Sequence, residues 1–220
     1  MNGFIKATMT AALALGLGGC MGGMDLLGDS DSKVEYGKSA QEWYDAIQRS
    51  LARNDLEKAD KQYLSLRSEH TGSALLRTTM LALAQAHMAE GEYLLARYYL
   101  DEYLKRYGGE YARFLKIKAA FYQIKDLNKD QKQVATALGE CRAFLAGHGG
   151  SRYAPLVRTM QTRLQMAQYL LNEDIASLYE KIGKPEAAKQ YRQKNSGFSY
   201  KPDQIQDPAG GFLSSLNPFD

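Results

Sequence analysis

The chain is poor in the residues from which most active sites are built. It has two cysteines, three histidines and one tryptophan in 220 residues. That leaves little material for a structural zinc site, which takes four Cys or His ligands. It also lacks an excess of either charge, with 28 Lys and Arg against 25 Asp and Glu. A near-balanced chain carries little net field, which argues against nucleic acid as a partner. At 45% hydrophobic and 24% charged residues, the chain is neither wholly disordered nor a multi-pass membrane protein. Proline is missing between Gln41 and Ala154, so nothing there obliges a helix to break. Tyrosine, by contrast, is abundant, with 15 residues spread mostly along the middle of the chain.

Catalytic motifs are missing too. Gly108-Gly109 and Gly147 with Gly149-Gly150 lack the Lys-Ser/Thr of a phosphate loop. Those glycines are expected to end helices, where the backbone needs positive φ. There is no HExxH, GxSxG or CxxC. Cys141 and His148 are seven apart, but Cys141 falls in a slot expected to be buried. His87 is expected on a packing face and His70 at a loop. Asp101-Glu102 and Glu173-Asp174 are sequence neighbours, which a helix splays apart by about 100°, so neither forms an acid–base pair. Arg113, Lys116 and Lys118 form a short stripe expected to be a solvated helix face. The expectation is a non-enzymatic protein with no cofactor and no metal.

Residues 1–19 read as an export signal: Lys6, then a small apolar run from Ala7 to Leu17. The run is too short for a bilayer core that needs about 20 residues. It ends in Leu17-Gly18-Gly19-Cys20, which resembles the lipobox of bacterial lipoproteins. That resemblance implies cleavage before Cys20 and lipidation of its thiol. Met21 after the cysteine, rather than Asp, implies the outer membrane. Several acyl chains anchor stably where a single chain does not. Residues 20–38 then read as a Gly-containing tether, spanning roughly 20–25 Å as a coil.

From Ser39 to Lys194 the pattern is helical and repeats. Leu56-x-x-Ala59-x-x-x-Tyr63, Tyr93-x-x-Ala96-x-x-x-Leu100 and Val134-x-x-Ala137-x-x-x-Cys141 share one spacing, and Pro185-x-x-Ala188-x-x-x-Arg192 is a weaker copy. Each follows a first helix and a turn. The small Ala lets two helices approach, and the large residue four later fills the gap beside it. The pattern resembles the tetratricopeptide repeat, with Trp43 in the slot of that family's Trp. It implies an all-α helix-turn-helix solenoid of about four repeats over residues 39–194. A long helix is expected from about Arg152 to Lys181, and residues 195–220 form a Gly- and Pro-containing tail, extended or disordered.

In that repeat family the first helices line a concave groove. Helical period places Tyr44, Gln48 and Leu51 there from the first unit, Leu81, Gln85 and Met88 from the second, and Lys116, Ala120 and Gln123 from the third. Apolar side chains beside amides suit an extended peptide. The competing assignment for Leu51, Leu81 and Met88 is ordinary core packing.

Leu127-Asn128-Lys129-Asp130-Gln131, Ser151-Arg152-Tyr153-Ala154-Pro155 and Asn172-Glu173-x-Ile175-Ala176-x-x-Tyr179 narrow the resemblance. With Lys38-Ser39-Ala40-Gln41-Glu42-Trp43-Tyr44 after the tether, the chain resembles the BamD family of β-barrel assembly lipoproteins. The resemblance implies a scaffold on the periplasmic face of the outer membrane. It implies two partners, a BamA-like barrel subunit bound through its POTRA domains and unfolded outer-membrane proteins. The family typically has five repeats, whereas the fourth unit here ends near Lys194. Arg152 and Tyr153 at the long helix and Lys189 and Arg192 in the last unit are the candidate partner interface. The competing assignment is another envelope repeat lipoprotein, such as a pilus-secretin pilotin or a cell-division or peptidoglycan coordinator.

Overall fold

The computed structural model describes residues 37–125 and 130–198. The leader, Cys20, most of the tether, most of the Leu127–Gln131 motif and the tail from residue 199 lie outside the described residues. Eight α-helices follow one another: α1 (Ala40–Ala52), α2 (Leu56–Glu69), α3 (Leu75–Ala89), α4 (Tyr93–Tyr107), α5 (Glu110–Gln123), α6 (Gln131–His148), α7 (Ala154–Lys181) and α8 (Pro185–Gln193). A 3-10 turn, Lys194–Gly197, closes the described chain. Each odd-numbered helix pairs with the next, giving four stacked hairpins, and no strand occurs among the described residues. The fold is the all-α repeat array that the sequence implies.

Local chemistry sets the helix ends. At α1 the Ser39 hydroxyl accepts from the Glu42 amide at 3.3 Å, while the Glu42 carboxylate accepts from the Ser39 amide at 2.7 Å. This reciprocal box satisfies two donors that would otherwise be orphaned. Three of the four hairpins turn in the same way. Asp55, Glu92 and Lys184 each donate an amide five residues back, to Ser50, His87 and Tyr179, at 2.8–2.9 Å. The residue just before each donor is left-handed: Asn54 at φ 57°, Gly91 at 74° and Gly183 at 73°. Glycine accepts that conformation without a Cβ clash, and asparagine tolerates it better than most residues. Gly108 and Gly109 also have positive φ, as expected. Gly147, Gly149 and Gly150 do not. Helix α6 runs on through Gly147 to His148, and Gly149 is right-handed at φ −61°.

The repeated alanines are where helices touch. Ala59, Ala96 and Ala137 are fully buried and Ala188 nearly so. Tyr63, Leu100 and Cys141, each four residues on, are buried beside them, whereas Arg192 in the fourth copy is exposed. The core continues through Leu66, Leu76, Met80, Leu83 and Leu138. Each such side chain, fully buried, contributes about 1.5–3 kcal/mol relative to exposure. Of the tyrosines in repeat slots, Tyr63 and Tyr103 are buried, while Tyr122 and Tyr179 are half-buried. The long helix begins at Ala154 rather than Arg152, with Pro155 in its first turn, where no helical N–H is required. Arg152 and Tyr153 therefore sit in the preceding turn.

Candidate binding surfaces

The groove residues of the first two units fall on adjacent first helices, α1 and α3. Tyr44 is half-buried, and Leu51, Leu81 and Met88 pack partly against the core. The three apolar residues thus do both jobs: each closes the core from the inner side and leaves part of its surface open. Gln48 is half-buried, and its amide nitrogen has no hydrogen-bond partner among the described residues. Gln85 is exposed and donates to the Tyr111 hydroxyl at 2.6 Å.

The third unit departs from expectation. Ala120 is 4% exposed and belongs to the core. Lys116 is not part of a solvated stripe, because its ammonium lies 2.6 Å from Asp101 and 3.5 Å from Glu140. Glu140 in turn takes a two-pronged contact from Arg97, at 2.9 and 3.3 Å. Helices α4, α5 and α6 are thereby tied by one ring of charges, each less than half exposed.

The four partner-interface candidates split into two places. Tyr153 stacks on Phe114 at 4.6 Å and lies against Tyr111 at 5.5 Å, with Arg152 over its outer face at 4.8 Å. Through Tyr111 this aromatic cluster continues to Gln85, so the structure joins the groove to the start of α7. Lys189 and Arg192 lie on α8. Arg192 binds Glu180 and Glu173 near the far end of α7. From Ala154 to Glu180 the helix rises about 39 Å at 1.5 Å per residue, so the two pairs do not share one contact spot.

One polar cluster was only half legible. His87 is buried as expected, but both of its ring nitrogens face carboxylates. Nδ1 is 2.6 Å from Glu92 and Nε2 is 3.1 Å from Asp60. Tyr99 donates its hydroxyl to Asp60 at 2.6 Å and stacks on the imidazole. Burial pushes the imidazole pKa down, but the hydrogen bonds to Asp60 and Glu92 outweigh it and the net shift is upward. Asp60 is 27 residues from His87, a separation that helical period does not reveal. His70 caps α2 as expected of a loop residue, with Nε2 2.7 Å from the Lys38 carbonyl. Cys141 is fully buried, and burial pushes its thiol up to about 12. A thiol kept protonated is neither nucleophile nor ligand.

A pocket of about 340 Å³ opens between α4, α5 and α6, floored by Leu104, Ile117 and Phe144 and edged by Arg113 and His148. Of the groove candidates Lys116 lines it, and no partner-interface candidate does. Among the described residues, no three His, Cys, Asp or Glu converge to hold a metal ion, and no helix is long and apolar enough to cross a membrane.

The all-α repeat body agrees with what the chain is similar to. Residues 37–195 match the family described as YfiO, outer membrane lipoprotein. The outer membrane protein assembly factor BamD of Helicobacter pylori (strain ATCC 700392 / 26695) is 42% identical over 166 residues, covering 74% of this chain and 76% of that protein. The chain belongs to the YfiO family of outer membrane lipoproteins.

Proposed function

We propose that this chain is a non-enzymatic scaffold for outer-membrane protein assembly. It is anchored by lipid at Cys20 and works on the periplasmic face of the outer membrane. Its groove takes extended segments of unfolded outer-membrane proteins. The turn and helix around Arg152 and Tyr153, with Lys189 and Arg192 on the last hairpin, meet a BamA-like barrel subunit through its POTRA domains. The observation that carries this reading is the 42% identity to an assembly factor over 166 residues, 74% of the chain. The surface supports it. Half-open Tyr44, Leu81 and Met88 offer apolar seats, and exposed Gln85 offers an amide to a peptide backbone.

In-cell photo-cross-linking tests the two surfaces separately. A photoreactive residue at Tyr44 should capture nascent outer-membrane proteins, and one at Arg152 should capture the barrel subunit. Capture of only pilus, division or peptidoglycan components from both positions would overturn the proposal. A radiolabelled palmitate assay of Cys20→Ala, which should lose the label and leave the envelope, tests the anchor independently.

A further inference from the structure

The pocket between α4, α5 and α6 shares only Lys116 with the groove candidates and nothing with the partner interface. Its floor is apolar: Ile117 and Phe144 are otherwise buried, and Leu104 is half-buried. At about 340 Å³ it stands at the small end of ligand-pocket sizes, which suits one large side chain rather than a long ligand. Its charges are not all paired. On one wall Lys116 and Glu140 are closed off in the ring with Arg97 and Asp101, two cations against two acids. Arg113 stands outside that ring. It is exposed, and its guanidinium makes no ion pair, hydrogen bond or ring contact among the described residues, not even with Glu110 one turn earlier. His148 completes the rim, half-buried, with its ring centre 5.2 Å from that of Phe144.

The rim opens onto the exposed face of α6, which is bare. Ala135, Gly139, Ala143 and Gly147 follow one another at four-residue steps, and all four are exposed. Glycine weakens a helix interior relative to alanine. Nothing within the chain calls for it here, since a Cβ added at Gly139 or Gly147 would meet no atom within 4 Å. Side chains this small let another backbone lie close along the helix. Ala143 and Gly147 line the pocket as well, so the seat and this face are continuous. That continuity favours a protein segment over a free small molecule. The charge of α6 states which kind of segment. Lys132 and Arg142 are exposed, and the single acid of the helix, Glu140, is already engaged.

We infer that this pocket docks an acidic segment of a partner protein. The segment lies along the exposed face of α6 and seats one aromatic or large aliphatic side chain on Leu104, Ile117 and Phe144. An Asp or Glu beside that side chain meets Arg113. A guanidinium without a carboxylate of its own is a fork that a carboxylate can take with two parallel hydrogen bonds. Seat and fork together select the partner. A neutral segment leaves Arg113 as it is, a basic one is repelled by it, and an acidic one without a large side chain leaves the floor wet. The site shares no residue with Tyr44, Leu81 or Met88, so it can fill while the groove is occupied.

The test titrates purified full-length protein with the peptide Gly-Asp-Phe-Asp-Gly, acetylated and amidated, and follows backbone amides by NMR. Blocking both ends leaves side-chain carboxylates as the peptide's only charges. At millimolar peptide the amides of Ile117, Phe144, Gly147 and His148 should shift, and those of Tyr44, Leu81 and Met88 should not. Replacing both Asp by Asn in the peptide, or Arg113→Glu in the protein, should weaken binding about tenfold, as the loss of a charge-assisted pair implies. Ala143→Trp, at an exposed position, should weaken it by covering the rim. The Asn peptide acts on the unaltered protein, so a folding defect in either variant leaves the test intact. No shift at the pocket, shifts confined to the groove, or equal binding of the Asn peptide would overturn the docking site. Tighter binding of phenylpropionate than of the peptide would overturn it too, because the pocket would then belong to a small molecule.

Discussion

Replacing His87 with Gln tests whether one buried imidazolium holds the first two hairpins together. The imidazole sits in α3 and contacts Asp60 of α2 and Glu92 at the start of α4, while Tyr99 of α4 stacks on it and binds Asp60. Both ring nitrogens face carboxylate oxygens, so both must donate and the ring carries a positive charge. Gln is neutral and can reach only one of the two acids. Hydrogen bonds to charged groups contribute about 1.5–3 kcal/mol each. The Glu92 side chain is 48% exposed, so its share falls at or below the bottom of that range. Because Gln keeps one of the two bonds, without charge assistance, the net loss is about 2 kcal/mol. With a urea dependence of about 2 kcal/mol per molar, the midpoint should fall by about 1 M. Trp43, the single tryptophan, reports the first hairpin directly, since its indole donates to Glu69 of α2 at 3.1 Å. The pH dependence follows from the upward shift. The stabilisation is complete below the unfolded-state pKa of about 6.5 and is lost as pH rises through the higher folded value. Wild-type midpoints should therefore decline from mildly acidic to alkaline pH, and those of His87→Gln should change much less. Equal midpoints, or parallel pH profiles, would refute the charged-imidazole account.

Cys141 should resist thiol reagents in the folded protein at pH 8 and react at the ordinary rate once urea unfolds its hairpin, which a colorimetric thiol assay reads directly. Glu140→Gln removes the negative charge shared by Arg97 and Lys116, and should cost about 1–2 kcal/mol in urea melts, less in high salt. Asn195→Ala strands the buried amide of Asn172, and should cost about 1–3 kcal/mol, seen first as faster amide exchange around residues 169–173.

What the sequence made legible was local. The buried alanines at 59, 96, 137 and 188 could be found because the residues that define each slot lie within one or two turns. The turn ahead of each repeat was legible for the same reason, whereas its left-handed residue, at Asn54, Gly91 or Gly183, was not. The misreadings came from contacts that period cannot supply. Lys116 looked solvated because its partners, Asp101 and Glu140, belong to neighbouring helices. Gly147 looked like a helix end because glycine is a poor helix former, but burial of Phe144 just before it keeps α6 in place beyond that point. The exposure of the proposed groove residues was half legible. Period put Leu51, Leu81 and Met88 on the inner side, but how much of each stays open depends on the hairpin stacked beside it. The link from Gln85 through Tyr111 to Tyr153 joins two helices and the turn before α7, and no short pattern encodes it.

The composition of α8 has a consequence for how the array ends. Ala188 is its only buried residue, so the last helix gains little from apolar area. Its attachment to α7 rests instead on the Arg192 fork, the Tyr179–Tyr191 stack and the Asn172–Asn195 pair. Exposed ion pairs weaken as ions screen them, whereas buried apolar contacts do not. The C-terminal end should therefore respond to ionic strength more steeply than the first three hairpins, whose ion pairs are backed by a buried apolar core, so the array ends in an electrolyte-sensitive cap.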